Sequence, residues 1–523
     1  MDKKWWTLGA VCIGIFMLLL DLTIVNVALP EIERAFGASL SDLQWVIDAY
    51  ALTLAALLLT SGSLADLFGR RLLFAVGIVV FTVGSFLCGI STGSLFIILA
   101  RGFQGIGGAI MFATSLALLA EAFRGRERGI AFGVFGAVTG IAVAIGPVLG
   151  GVITSGISWR FIFFVNIPIG VVALGVTLTK VAESRNPRAS RPDLPGFVTF
   201  SGALAALVYG MIRSSASGWG DSVVIGSLAA AGVLFIAFVL VELARSEPML
   251  DFSLLRKPTF TGGLVAAFGI NASIFALFTY LVLYLQDGLH LSAVATGVRF
   301  LIMTGTTFVT AAVAGRLTSK VPIKWLIAPG FALAGLGLIL MAGLRPSSGW
   351  AHLVPGFLVA GAGIGLINVP LASTAVGVVE PARSGMASGI NSTLRQVGTA
   401  TGIAALGSIF SATVRATVVS SLSGTALAPR AASIASGVTS GQLRRGSVLA
   451  RQHPHAAAAV SHAALAGFVH GLNEILFIGA AVSFVSGALC LFLIRQKDFT
   501  SAHTGEGPRS GSLEHEETEL ARA

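Results

Sequence analysis

Apolar windows of about 20 residues, the length that carries a helix across a hydrocarbon core, follow one another along almost all of this 523-residue chain. No other feature limits the fold so tightly. A run such as LFAVGIVVFTVGSFLCGI, residues 73–90, does not alternate apolar with polar positions, whereas a membrane barrel needs alternating segments of about ten residues. In lipid the remaining way to satisfy the backbone is the helix. A composition of 55% hydrophobic and 11% charged residues also excludes a soluble globular chain.

The windows predict fourteen transmembrane helices, over residues 7–28, 44–64, 72–90, 95–119, 130–153, 161–181, 194–212, 222–243, 260–285, 292–315, 324–342, 353–376, 386–411 and 470–493. With the N-terminus in the cytoplasm, the inner connections hold Arg70, Arg71, Arg124, Arg126, Arg128, Lys180, Arg185, Arg188, Arg191, Arg245, Arg256, Lys257, Arg316, Lys320, Lys324 and Arg383. The outer connections and helix ends hold only Arg34, Arg160, Arg213, Arg299 and Arg345. By the positive-inside rule a multi-pass protein of the cytoplasmic membrane is expected, with both termini in the cytoplasm. The net charge of +10 then follows from topology. Scattered over many loops, it does not make the single solvated basic face that nucleic acid requires.

The opening MDKKWWTLGAVCIGIF has the basic and apolar order of a signal peptide. Its apolar run is long enough to span, and more helices follow at once, so a retained first helix is expected. Residues 412–466, rich in Ala, Ser, Gly and Arg, are expected as an extracellular loop, and residues 494–523, with an acidic Gly/Ser end, as a disordered cytoplasmic tail. Histidines 453, 455, 462 and 470 cluster in and after that loop, but no carboxylate or thiolate accompanies them, so a solvated loop is expected rather than a metal site. Cys12, Cys88 and Cys490 lie in apolar spans and read as small buried hydrophobes.

Glycine is placed in an ordered way. Gly129, Gly133, Gly136 and Gly140 recur at helical spacing in the fifth span, a stripe suited to close helix packing. The same span runs into GPVLGG, where Gly146, Pro147, Gly150 and Gly151 suggest a helix that flexes or slides.

Charge inside the bilayer is expensive, so such a group normally faces protein or water and has a partner. Asp21, Asp48 and Arg101 fall in the first, second and fourth spans, all in the outer half by residue count at about 1.5 Å of rise each. Arg101, Gln104, Gly105 and Gly108 share one helix face. A buried Asp–Arg pair that only fastens helices and a pair that works in transport are both open at this point. On the first span Thr23 and Asn26 share one face, and Asp21 points about 140° away from Asn26, so protein or a cavity must wrap the helix. Arg395 shares a face with Asn391, Gly398 and Gly402 in the thirteenth span and has no evident carboxylate partner.

These motifs together resemble the major facilitator superfamily and, within it, the fourteen-helix drug:proton antiporters. LDLTIVNVALP (residues 20–30) is similar to that family's first-helix signature, and GSLADLFGRRLLF (62–74) to the loop after the second helix, with Asp66, Gly69, Arg70 and Arg71 in place. LARGFQGIGGA (99–109) resembles the fourth-helix motif around a buried arginine, and GPVLGG the core of the fifth-helix antiporter motif. WRFIFFVNIPIG (159–170), which contains Asn166, and GMASGINSTLRQVGTATGIA (385–404), which contains Asn391 and Arg395, resemble sixth-helix and late-helix patterns. The loop motif departs from the pattern at Leu67 and Phe68, where a basic residue often follows the aspartate, and its C-terminal echo at Gly315, Arg316 and Lys320 is faint.

The resemblance implies an all-α membrane protein of two six-helix bundles, residues 1–181 and 252–493, with two inserted helices in 182–251. It implies a transporter rather than an enzyme, without cofactor or metal, that exports lipophilic cationic drugs against protons by alternating access. Its partners would be a small-molecule substrate, protons and the bilayer, with the chain acting as a monomer. Asp21, Asn26 and Arg101 would serve proton coupling and substrate, and Asp66, Gly69, Arg70 and Arg71 would latch the two bundles. Asp48 as a second proton or substrate site is an inference from its position, not from the resemblance. No Walker-type GK[ST] stretch occurs, so the energy of uphill transport is expected from an ion gradient. A dedicated exporter of one metabolite, self-made antibiotic or lipid would carry the same motifs.

Overall fold

The computed structural model describes residues 2–123, 125–184, 193–245, 250, 252–318, 320–379, 384–425, 427–439 and 454–498. Its regular structure among these residues is helical throughout. The first set is α1 (Lys3–Phe36), α2 (Leu40–Phe68), α3 (Arg70–Gly89), α4 (Ser94–Ala122), α5 (Gly125–Gly156), the short α6 (Phe161–Phe164) and α7 (Asn166–Lys180). Then come α8 (Leu194–Ser217) and α9 (Ser222–Ala244). The second set is α10 (Pro258–Ile270), α11 (Ala276–Leu283), α12 (Ala293–Leu317), α13 (Lys324–Met341), α14 (Val354–Val376), α15 (Ser384–Leu422), α16 (Ala431–Thr439) and α17 (Pro454–Leu493). Among the described residues 13 helices are long and apolar enough to cross a membrane, and α2, 29 residues long, adds one more.

Local chemistry sets the helix ends. Gly37 closes α1 in the left-handed region at φ 61°, its N–H returning to Glu33 O. Two residues on, Ser39 and Asp42 form a reciprocal capping box that starts α2, with bonds of 2.8 and 3.1 Å. Asp193 and Asp221 cap α8 and α9 by accepting from backbone N–H groups.

The helices fold into two six-helix bundles, with α8 and α9 paired beside them. Helix α8 lies along the seam of α2 and α15, where Ser214 and Ser408 bond at 2.7 Å. The ninth span is broken: α10 passes into a π-turn over Asn271–Phe275 before α11, and a second π-turn follows over Tyr284–Gly288. The sixth span is likewise split into α6 and α7. The stretch 412–466, expected as a loop, is largely helical where described, because α15 continues to Leu422 and α17 begins at Pro454. Its abundant alanine favours helix wherever glycine is sparse. His462 and His470 are exposed on α17, and His453 lies outside the described residues.

Glycine packing departs from expectation within α5. Gly136 has open space around it and Gly140 only a loose neighbour in Phe308, while the side chains around Gly129 and Gly133 lie outside the described residues. Close approach occurs further along instead. A Cβ on Gly150 would meet Ile24 O of α1 at 2.9 Å, and one on Gly151 would meet Ala293 O of α12 at 2.5 Å. Helix α5 stays continuous through Pro147. It is thus wedged between α1 of its own bundle and α12 of the other, at a seam smooth enough to slide.

Candidate functional site

Inside the first bundle a polar cluster joins five helices. Asp21 on α1 is fully buried, as is Arg101 on α4 at 1% exposure. Arg101 Nη1 donates to Asp21 Oδ2 at 2.5 Å and to Gln104 Oε1 at 2.6 Å, and its Nε donates to Val46 O of α2 at 3.1 Å. Gln104 Nε2 donates to Asp21 Oδ1 at 2.9 Å and to Ser85 Oγ of α3 at 2.7 Å. Asn166, the first residue of α7, reaches the same two acceptors at 3.1 and 3.2 Å. The guanidinium also lies 4.3 Å from the Tyr50 ring centroid. Both oxygens of Asp21 are therefore occupied, and every bond to the carboxylate depends on its being the acceptor.

Close helix packing makes this geometry possible. A Cβ on Gly84 of α3 would stand 2.7 Å from Gln104 Cα, and one on Gly105 would stand 2.7 Å from Tyr50 O. With larger residues there, Gln104 and Arg101 could not come within reach of Asp21.

Asp48 on α2 is placed differently. It is also fully buried, yet neither carboxylate oxygen has a hydrogen-bond partner among the described residues. One turn earlier on α2 is a polar contact of the seam between bundles: Gln44 Nε2 donates to Tyr280 Oη of α11 at 3.0 Å, and Tyr280 Oη donates to Ile403 O of α15 at 3.1 Å. Position in the sequence singles out Asp48, but it does not foretell that Asp48 stays out of the Asp21–Arg101 cluster.

Asn26 bridges the bundles. Its Oδ1 accepts from Thr279 of α11 at 3.2 Å, and its Nδ2 donates back to Leu22 O at 3.1 Å. Other bonds across the seam are Gln286 to Val27 O at 2.8 Å and Arg34 to Asp287 at 3.4 Å. Together with Gln44–Tyr280 they lie toward the end of the molecule that carries the α1–α2 turn.

At the opposite end the loop motif is held within the first bundle. Gly69 has φ 115°, and Glu183, after α7, accepts from the backbone N–H groups of Arg71 and Leu72 at 3.0 and 3.2 Å. The carboxylate caps the start of α3, where unsatisfied N–H groups and the helix dipole favour an anion. Arg71 pairs with Glu183 and Arg70 with Glu121, both at 3.7 Å. These described partners belong to the first bundle and brace α3 against α4 and the chain after α7. The side chain of Asp66 lies outside the described residues.

In the second bundle Arg395 of α15 is half-buried. Its Nη1 donates to Asn368 Oδ1 of α14 at 3.2 Å and its Nε to Asn391 Oδ1 at 3.4 Å. Thr399 donates to Asn271 Oδ1 at 3.3 Å, which ties this group to the π-turn of the broken ninth span. The sequence carries no clear signal for Asn368, Asn271 or Ser85: single small polar residues in apolar windows look like ordinary packing until the helices are assembled. Gln104 is legible because it stands one turn from Arg101. Glu183 lies in a connection and carries no pattern at all.

A groove of about 630 Å³ lies elsewhere, between α2, α8 and α9, lined by Trp45, Tyr209 and small residues of α8 and α9. Its apolar walls face the inserted helices and not the polar clusters.

Three comparisons bear on these sites. The family model for the Major Facilitator Superfamily matches residues 11–403. The chain is 35% identical over 413 residues to "Multidrug resistance protein Stp" of Mycobacterium tuberculosis (strain CDC 1551 / Oshkosh), covering 79% of this chain and 77% of that protein. It is 32% identical over 496 residues to the "Tetracenomycin C resistance and export protein" of Streptomyces glaucescens, covering 94% and 91%. Among solved structures, the crystal structure of a bacterial homolog to human lysosomal transporter Spinster, inward-facing and unoccupied, aligns with a TM-score of 0.58 at 16% identity. The alignment spans 96% of this chain and 99% of that one.

Proposed function

The chain belongs to the Major Facilitator Superfamily, and from that premise we propose that it is a proton-coupled antiporter exporting lipophilic small molecules, cations among them, by alternating access. It is a multi-pass transporter of the cell membrane and not an enzyme. Both termini are assigned to the cytoplasm from the distribution of basic residues.

The observation that carries the proposal is the buried Asp21–Arg101–Gln104–Asn166 cluster. A proton on Asp21 turns an acceptor-only group into a donor, so the bonds from Arg101, Gln104 and Asn166 cannot all persist. Protonation therefore loosens the junction of α1, α4 and α7, and deprotonation restores it. Helix α1 also meets α5 and, through Asn26, α11, so a change at Asp21 is felt at the seam that must open. A cationic substrate and a proton compete for the same negative charge, and that exclusion is sufficient for exchange. Asp48, buried at the seam without a partner, is assigned a second exchangeable proton, since an isolated charge there would be expensive. Asp66, Arg70 and Arg71 are assigned to gating at the inner end. Each charge moved across 100 mV is worth about 2.3 kcal/mol, so one or two protons support a useful export gradient.

A second reading, a dedicated exporter of one metabolite, is favoured by one observation: the relative that covers 94% of the chain is named for resistance to and export of tetracenomycin C. Ethidium efflux from energised cells tests the first reading, in wild type and Asp21→Asn at equal membrane levels, with and without a protonophore. Protonophore-sensitive efflux that vanishes in the variant supports the antiporter. Wild-type cells that export no ethidium move the assignment to the dedicated exporter.

A further inference from the structure

We propose that Arg395 is an anion-binding subsite in the transport path, which seats a carboxylate or an equivalent acidic group of the substrate. The inference rests on the transporter reading above and adds to its substrates a class of molecules that bear an anionic group, zwitterions included.

Between residues 252 and 493 the chain has only three carboxylates, Asp287, Glu380 and Glu474. Asp287 is engaged with Arg34, and Glu474 accepts from Thr413; both stand at the α1–α2 end of the molecule. Glu380, outside the described residues, precedes the start of α15 at Ser384, and Arg395 stands a further 16 Å or about that along the helix. Neither described acidic side chain of this bundle is therefore level with Arg395. Two buried carboxylates of the first bundle are elsewhere: Asp21 is held by Arg101, and Asp48 lies on α2 one turn from Gln44, which bonds Tyr280.

A cation in the middle of a membrane protein normally has a counter-charge, because the alternative is costly. Arg395 has instead two long bonds to neutral amides, those of Asn368 and Asn391, and its remaining N–H groups are not engaged among the described residues. Its side chain is only partly buried, so it remains reachable. An arginine fork presents paired N–H donors that match a carboxylate in two-point fashion. Asn368 fits the same role, since its amide can turn from giving its oxygen to the guanidinium to giving its N–H groups to an anion, while the Asn391 amide is steadied by donating to Gly263 O of α10 at 3.4 Å.

The surroundings agree. Farther along α15, Ala400 and Ala404 pack against Ala51 and Ala55 of α2, closing the seam above the arginine. Below that closure, Arg395 faces α14 and, through Asn391 and Thr399, α10 and the π-turn at Asn271. Irregular turns of this kind recur where membrane helices line a binding cavity. By residue count Asn368 lies just past the middle of α14, Asn271 at the break of the ninth span, and Arg395 twelfth in the 39-residue α15.

The test compares rhodamine 110, which carries a free carboxylate, with rhodamine 123, the same ring system as its methyl ester. Fluorescence anisotropy of the full-length protein in nanodiscs measures binding of each dye, and everted vesicles with an imposed proton gradient measure transport. Wild type is expected to bind rhodamine 110 more tightly than rhodamine 123. Arg395→Gln should weaken rhodamine 110 at least ten-fold while rhodamine 123 changes less than three-fold, and Arg395→Lys should restore part of the loss. Equal response of the two dyes, or wild-type binding of neither, overturns the subsite. Charge-selective binding without proton-driven transport keeps the subsite and removes the antiport reading, whereas proton-driven transport indifferent to the carboxylate does the reverse. Asn368→Ala, which keeps the arginine, guards against a folding artefact and should weaken rhodamine 110 selectively by a smaller factor.

Discussion

The two bundles each hold an arginine within a membrane span, and they treat it in opposite ways. In the first, Arg101 meets a carboxylate, an amide, a backbone carbonyl and an aromatic face. In the second, Arg395 meets only amide oxygens at long range. A saturated charge cluster fastens helices and responds chiefly when a proton changes one of its members; an unsaturated one is available to something that arrives from outside. The contrast divides the labour of exchange, with proton coupling in the first bundle and an anionic handle for substrate in the second.

The sharpest way to break that contrast is to remove the two arginines in parallel. Arg101→Gln leaves Asp21 buried without its counter-charge, and such losses run to about 3–5 kcal/mol. Arg395→Gln removes a cation that has no counter-charge and should change stability by less than about 1 kcal/mol. Thermal unfolding in detergent, with membrane yield alongside, reports both. Equal penalties would mean that Arg395 has a structural partner after all.

The seam between bundles offers the next effect. Gly151→Val forces a side chain against Ala293 and Val294, an overpacking of about 1–3 kcal/mol. It is expected to slow transport while dye binding persists. Gly136, on the same helix with open space around it, should accept alanine with a small gain, under about 1 kcal/mol, from helix propensity. Transport rates in vesicles for the pair separate the sliding surface from the idle one. Asn166→Ala comes last among the structural changes. It deletes one donor to Asp21 while Gln104 and Arg101 remain, so a loss of about 1 kcal/mol is expected, together with a shifted pH dependence of transport. An unchanged pH profile would place Asn166 outside the coupling cluster.

Much of the first bundle is legible in the sequence because its polar residues stand alone in apolar runs. Asp21 and Arg101 each break a span at a similar depth, and Gln104 follows Arg101 by one turn on the same face, so a shared polar pocket is geometrically possible from the sequence. The departures have physical causes. Asp48 shares the depth of Asp21 but points into the seam, and helix rotation is fixed by packing partners that a single span does not reveal. The stripe from Gly129 to Gly140 has the right period for close packing, yet the tight contacts lie at Gly146, Gly150 and Gly151, where a neighbouring helix from each bundle converges. The alanine-rich stretch after residue 411 reads as a loop by hydropathy and folds as extensions of α15 and α17 by propensity. Asn368 and Asn271 become recognisable only when α10, α14 and α15 come together around Arg395.

The account turns on Asp21 as the group whose protonation drives exchange, and reconstituted Asp21→Asn tests it most directly. In proteoliposomes rhodamine 110 can be followed both against its gradient, under an imposed pH difference, and in gradient-free exchange between the two sides. The variant is expected to keep exchange of this dye, because Arg395 still seats its carboxylate, and to lose uphill accumulation. Uphill accumulation by Asp21→Asn at the wild-type rate, abolished by a protonophore, would contradict the account and reduce the Asp21–Arg101 pair to a fastening.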